Sequence, residues 1–234
     1  LPAANCLLPI RYSLKKGSTM NYEHFIRANT QLVATALTPE ILLHVADDVT
    51  ALWQMSENEL NEIGLPPPFW AFAWPGGQAL ARYVLDNPGI VSGKRVLDFA
   101  TGSGLVAIAA ARAGAARVEA CDIDPFATAA ARLNAQANDV LIDARLGDLV
   151  GSDDNWDVVL AGDVSYERDM AARVTHWLGV LSGRGANVLI GDPGRSYLAK
   201  DRLVELAEYV TPVSRDLEDS DVKMAKVWRV VGSE

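Results

Sequence analysis

The sequence predicts an α/β fold. A mainly parallel seven-stranded sheet is covered on both faces and closed by a C-terminal antiparallel hairpin, with an N-terminal cap of helix and short strands in front. Three observations predict it. From Lys94 onward, short apolar runs alternate with longer helical stretches, the order that builds a parallel sheet with helices on its faces. Successive runs end in aspartate, at Asp98 and Asp122, followed at once by a turn and a helix start. The last two apolar stretches have no helix between them and read as a hairpin.

In chain order, residues 22–37 place Phe25, Ile26, Leu32, Val33 and Ala36 at helical spacing, and Thr38-Pro39 stops the run. A short strand is expected at 41–45. Pro66-Pro67-Pro68 then breaks the chain before Phe69-Trp70-Ala71-Phe72-Ala73-Trp74-Pro75. Strands are expected at 95–99, 117–122, 141–146, 157–161 and 186–190, and helices at 105–113, 125–138, 167–181 and 198–209. The closing pair is 211–217 and 224–231, with 218–221 as its polar turn. The chain divides into 1–19, an added leader or disordered segment; 20–93, the cap and aromatic lead-in; and 94–234, the core, in one globular domain overall. The leader carries Arg11, Lys15 and Lys16 without an acidic residue, and Met20 reads as a native start. A truncated organelle-targeting segment is the alternative.

Composition narrows the partners. The 234 residues carry a formal charge of −9, which repels phosphate backbones and suits a basic peptide segment, so no nucleic-acid partner is expected. Two cysteines, Cys6 and Cys121, make neither a disulfide framework nor a zinc site, which points to a reducing compartment and no metal. No apolar run approaches membrane-spanning length, and no membrane partner is expected.

The central chemical signal is Val96-Leu97-Asp98-Phe99-Ala100-Thr101-Gly102-Ser103-Gly104-Leu105. Small residues here let the backbone approach a ligand, and the N–H groups opening a helix suit a carboxylate. A tight strand-to-helix turn without a ligand is the alternative. Asp122 ends the next strand, where a carboxylate can accept both hydroxyls of a ribose, with Ile123 against the adenine. Asp148, beside Leu149, follows the third strand and can accept from the exocyclic amine of adenine. Any one of these acids could be a solvated cap, as Asp124 ahead of Pro125 is expected to be. The turn lacks the G-x-G-x-x-G spacing of dinucleotide sites.

Leu97 to Gly104 resembles the first motif of the Rossmann-like class I methyltransferases, and Cys121-Asp122-Ile123-Asp124-Pro125 with Asn134 resembles their second. The family pattern has glycine where this chain has Ala100, and alanine is expected to hold an ordinary backbone angle there. The resemblance implies S-adenosyl-L-methionine as cofactor, held by Trp74, Asp98, Ala100, Gly102, Gly104, Asp122, Ile123, Asp148 and Leu149. The fourth strand runs into Asp163-Val164-Ser165-Tyr166, which resembles the D-x-x-Y motif of seven-β-strand protein lysine methyltransferases. Asp163 and Tyr166 are therefore the implied catalytic pair. The alternative is a helix cap at Asp163 and a packed aromatic at Tyr166.

Two further segments resemble the electron transfer flavoprotein β-subunit lysine methyltransferase family in its bacterial members. One, from Pro68 to Leu80, resembles the aromatic entry segment of the lysine methyltransferase group, in which the Trp-Pro pair lies beside the cofactor; the other, Ile190-Gly191-Asp192-Pro193-Gly194-Arg195, resembles the fifth-strand end of the β-subunit enzyme itself. The first could instead be a hydrophobic clasp between cap and sheet, and the second a simple turn. The resemblance implies a protein substrate with an exposed lysine, that β-subunit in particular. It also implies a cytoplasmic location in a bacterium, or the mitochondrial matrix in a eukaryote. The alternatives are a small-amine or ribosomal-protein N-methyltransferase, and a cofactor-binding scaffold without catalysis.

Overall fold

A computed structural model describes residues 20–46, 67–213 and 221–232. The expected leader, Cys6, Pro66, the far end of the 211–217 strand and most of its 218–221 turn lie outside the described residues. The elements are α1 (Tyr22–Asn29), β1 (Gln31–Ala34), β2 (Leu42–Val45), α2 (Pro75–Asp86), β3 (Arg95–Phe99), α3 (Leu105–Arg112), β4 (Arg117–Asp122), α4 (Pro125–Ala137), β5 (Asp143–Leu146), β6 (Val158–Gly162), α5 (Arg168–Gly183), β7 (Asn187–Asp192), β8 (Leu203–Pro212) and β9 (Val222–Val230). Seven strands form one sheet in the order β5-β4-β3-β6-β7-β9-β8. The pairs from β5 to β7 are parallel, and β9 runs antiparallel to both β7 and β8.

Strand alternation sorts the core into two layers, because successive side chains point to opposite faces. Val96, Val158, Leu160, Leu189, Ala225 and Val227 pack with Leu80, Val84 and Ile108 from α2 and α3. Leu97, Val159, Ala161, Val188 and Ile190 face the other way, onto Trp177, Leu178 and Leu181 of α5. The sheet register aligns Phe99 with Cys121 and Ala161, Asp122 with Leu146, and Gly162 with Gly191. The turns that follow β3, β4, β5, β6 and β7 therefore leave from one rim, the edge at which open α/β sheets bind ligands.

Three expectations are corrected. The helix expected at 22–37 ends at Asn29, where Thr30 adopts an extended backbone and its hydroxyl donates to the Ile26 carbonyl at 2.6 Å. Residues 31–34 instead pair antiparallel with β2. The helix expected at 198–209 is largely strand β8, paired along its length with β9 after a short 3-10 turn at Lys200–Arg202. A bulge between Glu205 and Ala207 breaks the period of two, which disguised the strand. The hairpin's first strand accordingly ends at Pro212. Helix α2 was not anticipated: Pro75 opens it, and its buried face joins the main core.

The N-terminal cap is fastened to α4 by two asparagines one turn apart. Asn134 Oδ1 accepts from the His44 amide at 2.7 Å, while its Nδ2 donates to the Ser103 carbonyl at 2.7 Å. Asn138 accepts from the Leu42 amide and donates to the Leu42 carbonyl, at 3.0 and 2.6 Å. One face of α4 thus pairs with strand β2 through side chains, and Asn134 ties it to the glycine-rich loop as well. Aromatic packing completes the joint: Trp70 stacks on Phe126 at 5.7 Å, and Phe25 meets the same ring edge-on at 5.2 Å. Trp70 and Phe72 are buried with them, so this part of the lead-in is the clasp.

Asn134 is fully buried, and its loss strands a buried amide and a buried carbonyl. Asn134→Ala should cost about 2–4 kcal/mol of unfolding free energy, since each unsatisfied group costs roughly 1–3 kcal/mol. Urea unfolding measures this, and a cost under about 0.5 kcal/mol would show that the cap does not depend on the bridge.

Candidate active site

The glycine-rich loop after β3 is built around a buried carboxylate. Asp98 is only 1% exposed, and its Oδ2 accepts from the Thr101 hydroxyl at 2.5 Å and the Ala107 amide at 2.9 Å. Burial pushes this carboxyl up to about 7, against the pull of those two bonds. Asp98 thus pins the loop to the first turn of α3 from beneath. Ala100, Gly102 and Gly104 all take left-handed backbone angles, with φ of 54°, 52° and 83°. The ordinary angle expected for Ala100 is therefore corrected. An L-residue costs roughly 1–2 kcal/mol in that region, and the surrounding loop enforces it. Gly104 has a second constraint, because a Cβ there would lie 2.8 Å from the Ala131 Cα, which is how α3 and α4 approach so closely.

The loop is also fixed from the side by Asp122, whose Oδ2 accepts from the Gly102 amide and Oδ1 from the Asp124 amide, both at 3.0 Å. Desolvation raises its pKa. Ile123, next along the chain, is 73% exposed, a large apolar side chain held out over the rim. The Cys121 thiol donates to the Gly147 carbonyl at 3.1 Å, and the Gly147 amide donates to the Asp122 carbonyl, so the turn carrying Asp148 is tied to the one carrying Asp122. Asp148 accepts from its own turn at Val150 and from Arg173 on α5, both of which hold its pKa below the usual range, the turn amide most. Leu149 is 2% exposed, and its side chain packs in the α5-side core beneath the rim. Asp124 caps α4 through the Phe126 amide at 2.8 Å, as expected.

The other half of the site forms where α2 meets the ends of β6 and β7. A Cβ on Gly76 would sit 2.3 Å from the Gly191 carbonyl oxygen, one on Gly191 would sit 2.1 Å from the Gly76 oxygen, and one on Gly162 would sit 2.9 Å from the Gly77 Cα. Backbone meets backbone there, and only glycine allows it. Asp163, 8% exposed with φ of 54°, seals the joint: its amide donates to the Gly191 carbonyl, and its Oδ2 accepts from the Gly77 amide at 2.8 Å. A carboxylate at a helix N-terminus is favoured by the helix dipole. The capping alternative thus holds for α2, whereas α5 is capped by Glu167.

The remaining Asp163 oxygen, Oδ1, lies 3.2 Å from the Arg195 guanidinium. Burial, opposed by Arg195 and the Gly77 amide, leaves the Asp163 carboxyl raised to about 7. The Arg195 guanidinium carbon also lies 5.7 Å over the Trp74 ring, and the Trp74 indole N–H donates to the Phe69 carbonyl at 2.8 Å. Tyr166 is 51% exposed, with its ring 5.7 Å from that of Phe69. Desolvation first, and then the Asp122 carboxylate, raise its phenol, so the two halves of the site share one electrostatic environment.

Trp74, Asp163 and Tyr166 are therefore brought together, as are Ala100, Gly102, Asp122 and Ile123; Asp98, Gly104 and Leu149 act from below. Sequence reasoning missed Arg195 as a member of the site, and with it the Gly76-Gly77, Gly162 and Gly191 contact. The Asp192-Pro193-Gly194-Arg195 run had been read as resemblance or turn. It is a turn, with Asp192 Oδ1 accepting from the Gly194 and Arg195 amides at 2.7 Å each, and it also delivers Arg195. Among the described residues, no cluster of His, Cys, Asp and Glu is placed to hold a metal, and no helix is long and apolar enough to cross a membrane.

Comparison with known proteins follows this division of the site. The family model of the ribosomal protein L11 methyltransferase matches residues 78–163, from the middle of α2 to the end of the cofactor-side strands. Magnesium protoporphyrin IX methyltransferase from Synechocystis PCC 6803, solved with bound S-adenosylhomocysteine, shares the fold at a TM-score of 0.50 and 16% identity, over 67% of this chain and 82% of that one. The human electron transfer flavoprotein beta subunit lysine methyltransferase is 38% identical over 87% of this chain and 80% of its own length. The Danio rerio protein of the same name is 38% identical over 96% of this chain and 89% of its own length. The chain belongs to the electron transfer flavoprotein beta subunit lysine methyltransferase family.

Proposed function

We propose that this protein transfers a methyl group from S-adenosyl-L-methionine to the side-chain amine of a lysine on the electron transfer flavoprotein β-subunit. The single observation that carries the reading is the Asp163 carboxylate at the foot of an aromatic wall of Trp74, Phe69 and Tyr166, on the same rim as Asp122. The relatives' shared name supplies the substrate. The ribosomal protein L11 methyltransferase match stops at Asp163, before Tyr166 and Arg195, and so speaks for the cofactor half alone. A reducing compartment, the bacterial cytoplasm or the mitochondrial matrix, suits the buried free thiol of Cys121.

The rim fits the cofactor. The left-handed loop at Ala100–Gly102–Gly104 keeps side chains out of the way, the α3 N-terminus suits the carboxylate end, Asp122 offers ribose hydroxyls an acceptor, and Ile123 offers the base an apolar face. When bound, the sulfonium supplies an already electrophilic methyl carbon. The protein's task is then to present a neutral amine in line with it and to exclude water. A free lysine has a pKa of about 10.4, so it arrives protonated and must lose that proton before attack. Asp163 accepts an N–H of the amine and aims its lone pair, anchored by the Gly77 amide. Trp74, Phe69 and Tyr166 desolvate the nitrogen and hold its methylated, cationic products by their ring faces.

Asp122→Ala should weaken S-adenosyl-L-methionine binding about 10- to 100-fold, the worth of hydrogen bonds to a charged group of roughly 1.5–3 kcal/mol. Calorimetry reads it directly, and unchanged affinity contradicts the ribose assignment. Asp163→Asn keeps an acceptor for Gly77 but removes the charge. It should leave cofactor affinity within a few-fold and lower transfer at least 100-fold.

The pH dependence has a definite sign. Asp163 sits near 7 in the folded protein, so its carboxylate form is lost as pH falls through 7, and activity should fall with it. In a rate profile from pH 6 to 9, the residual activity of Asp163→Asn should lack the inflection near 7. An unaltered profile would remove Asp163 from the reaction.

A further inference from the structure

Arg195 occupies the place that the proposed function gives to the substrate. Its guanidinium touches the free side of Asp163 at 3.2 Å and lies 5.7 Å over Trp74, the same carboxylate and the same aromatic wall that would receive a lysine nitrogen. It is held there by construction. The turn that carries it is fastened to the end of β7 by two amide bonds to Asp192, at 2.7 Å each. Trp74 is fixed at the start of α2, and its indole N–H is bonded to Phe69. A guanidinium does not deprotonate in a protein, so a permanent positive charge stands at the acceptor position.

The charges acting on Asp163 are Arg195 and Asp192, and those acting on the neighbouring Tyr166 are Asp122 and Glu167. Asp163 follows β6, Asp192 ends β7, Tyr166 precedes α5 and Asp122 ends β4, with Arg195 as the cation between Asp163 and Trp74. Asp163, with the Asp192 carboxylate behind it, would alone attract an ammonium ion, and an ammonium nitrogen has no lone pair with which to attack. Arg195 offsets one of those charges and repels a second cation at close range.

We propose that Arg195 is a positioning residue that keeps the acceptor lysine neutral, by sharing Asp163 with it and opposing its ammonium form. The inference rests on the acceptor-pocket reading above. The lysine ammonium releases its proton to solvent on entering. Its nitrogen then forms the new N–C bond as the C–S bond breaks, the bonding pair staying on sulfur, and the methylated ammonium carries the positive charge that the sulfonium had. Like charges disfavour the protonated acceptor most while Arg195 remains beside Asp163.

The test compares the full-length enzyme with Arg195→Gln and Arg195→Lys, using S-adenosyl-L-methionine and purified electron transfer flavoprotein β-subunit. Arg195→Gln should lower kcat about 10- to 100-fold at pH 7, without raising KM. The alkaline rising limb of its kcat profile, which follows the lysine ammonium and lies above the Asp163 inflection near 7, should move about 1–2 pH units higher, the effect of one nearby charge at intermediate dielectric. Arg195→Lys should bring the limb back to within about half a unit. Calorimetry with S-adenosyl-L-homocysteine should show the β-subunit binding Arg195→Gln several-fold more tightly at pH 7, and cofactor affinity unchanged. An equal loss of kcat at all pH values with no displaced limb overturns the inference, as does weaker substrate binding by Arg195→Gln. Asp163→Asn separates the two readings. If that variant keeps normal turnover, the acceptor pocket itself is wrong; if it is inactive while Arg195→Gln shows an undisplaced limb, only the role of Arg195 falls.

Discussion

The site depends on a backbone-to-backbone contact between the first turn of α2 and the ends of β6 and β7. Three glycines, at 76, 162 and 191, let the chains approach to distances at which a single methyl group would collide with the facing backbone. Asp163 then binds the Gly77 amide and locks the joint. Segments more than a hundred residues apart become one wall: Trp74 just before the helix, Asp163 and Tyr166 after β6, Arg195 after β7. Because close-packed interiors transmit strain rather than absorb it, the orientation of the Asp163 carboxylate is set by the packing of α2 on the sheet.

Two buried aspartates show how environment divides their roles. Asp98 and Asp163 are both pushed to about 7 by desolvation. Asp98 gives one oxygen to Thr101 and Ala107 within its own loop, sealed under α3. Asp163 divides its two oxygens between a helix amide and the Arg195 guanidinium at the rim. The first is a fastening; the second keeps accepting capacity where a ligand can reach it. A perturbed carboxyl is a candidate for chemistry only when geometry gives it access.

The parallel core was legible because its signals are local. Asp98 and Asp122, each with a short turn and a helix start after it, announce strand ends, and the alternation of Val158, Val159, Leu160 and Ala161 through two core layers needs no long-range information. The departures share a cause, which is that tertiary pairing overrode local pattern. Residues 31–34 looked helical until β2 was there to pair with them, and β8 lost its alternation to one bulge. Arg195 stayed hidden for the same reason. Its place beside Asp163 follows from the β6–β7 register and the Asp192 turn, neither of which sequence spacing encodes. Ala100 was misjudged because propensity alone argues against a left-handed alanine; the loop's hydrogen bonds impose it.

The distribution of exposed apolar surface bears on what the rim awaits. Ile123 stands 73% exposed after β4, while Phe69 and Tyr166, at 45% and 51%, stand exposed beside Trp74 and after β6. Large apolar side chains gathered on a rim are sites of binding more often than accidents of folding. On the proposed reading, the nucleoside covers the first and the aliphatic stem of a lysine covers the other two. A flexible amine carried on a folded partner meets both requirements at once. The narrow aromatic wall then admits only a side chain long enough to carry its nitrogen to Asp163. On that reading, selection among amines is made by reach and by protonation state, in that order, because the carboxylate is buried and the charge that opposes an ammonium lies beside it.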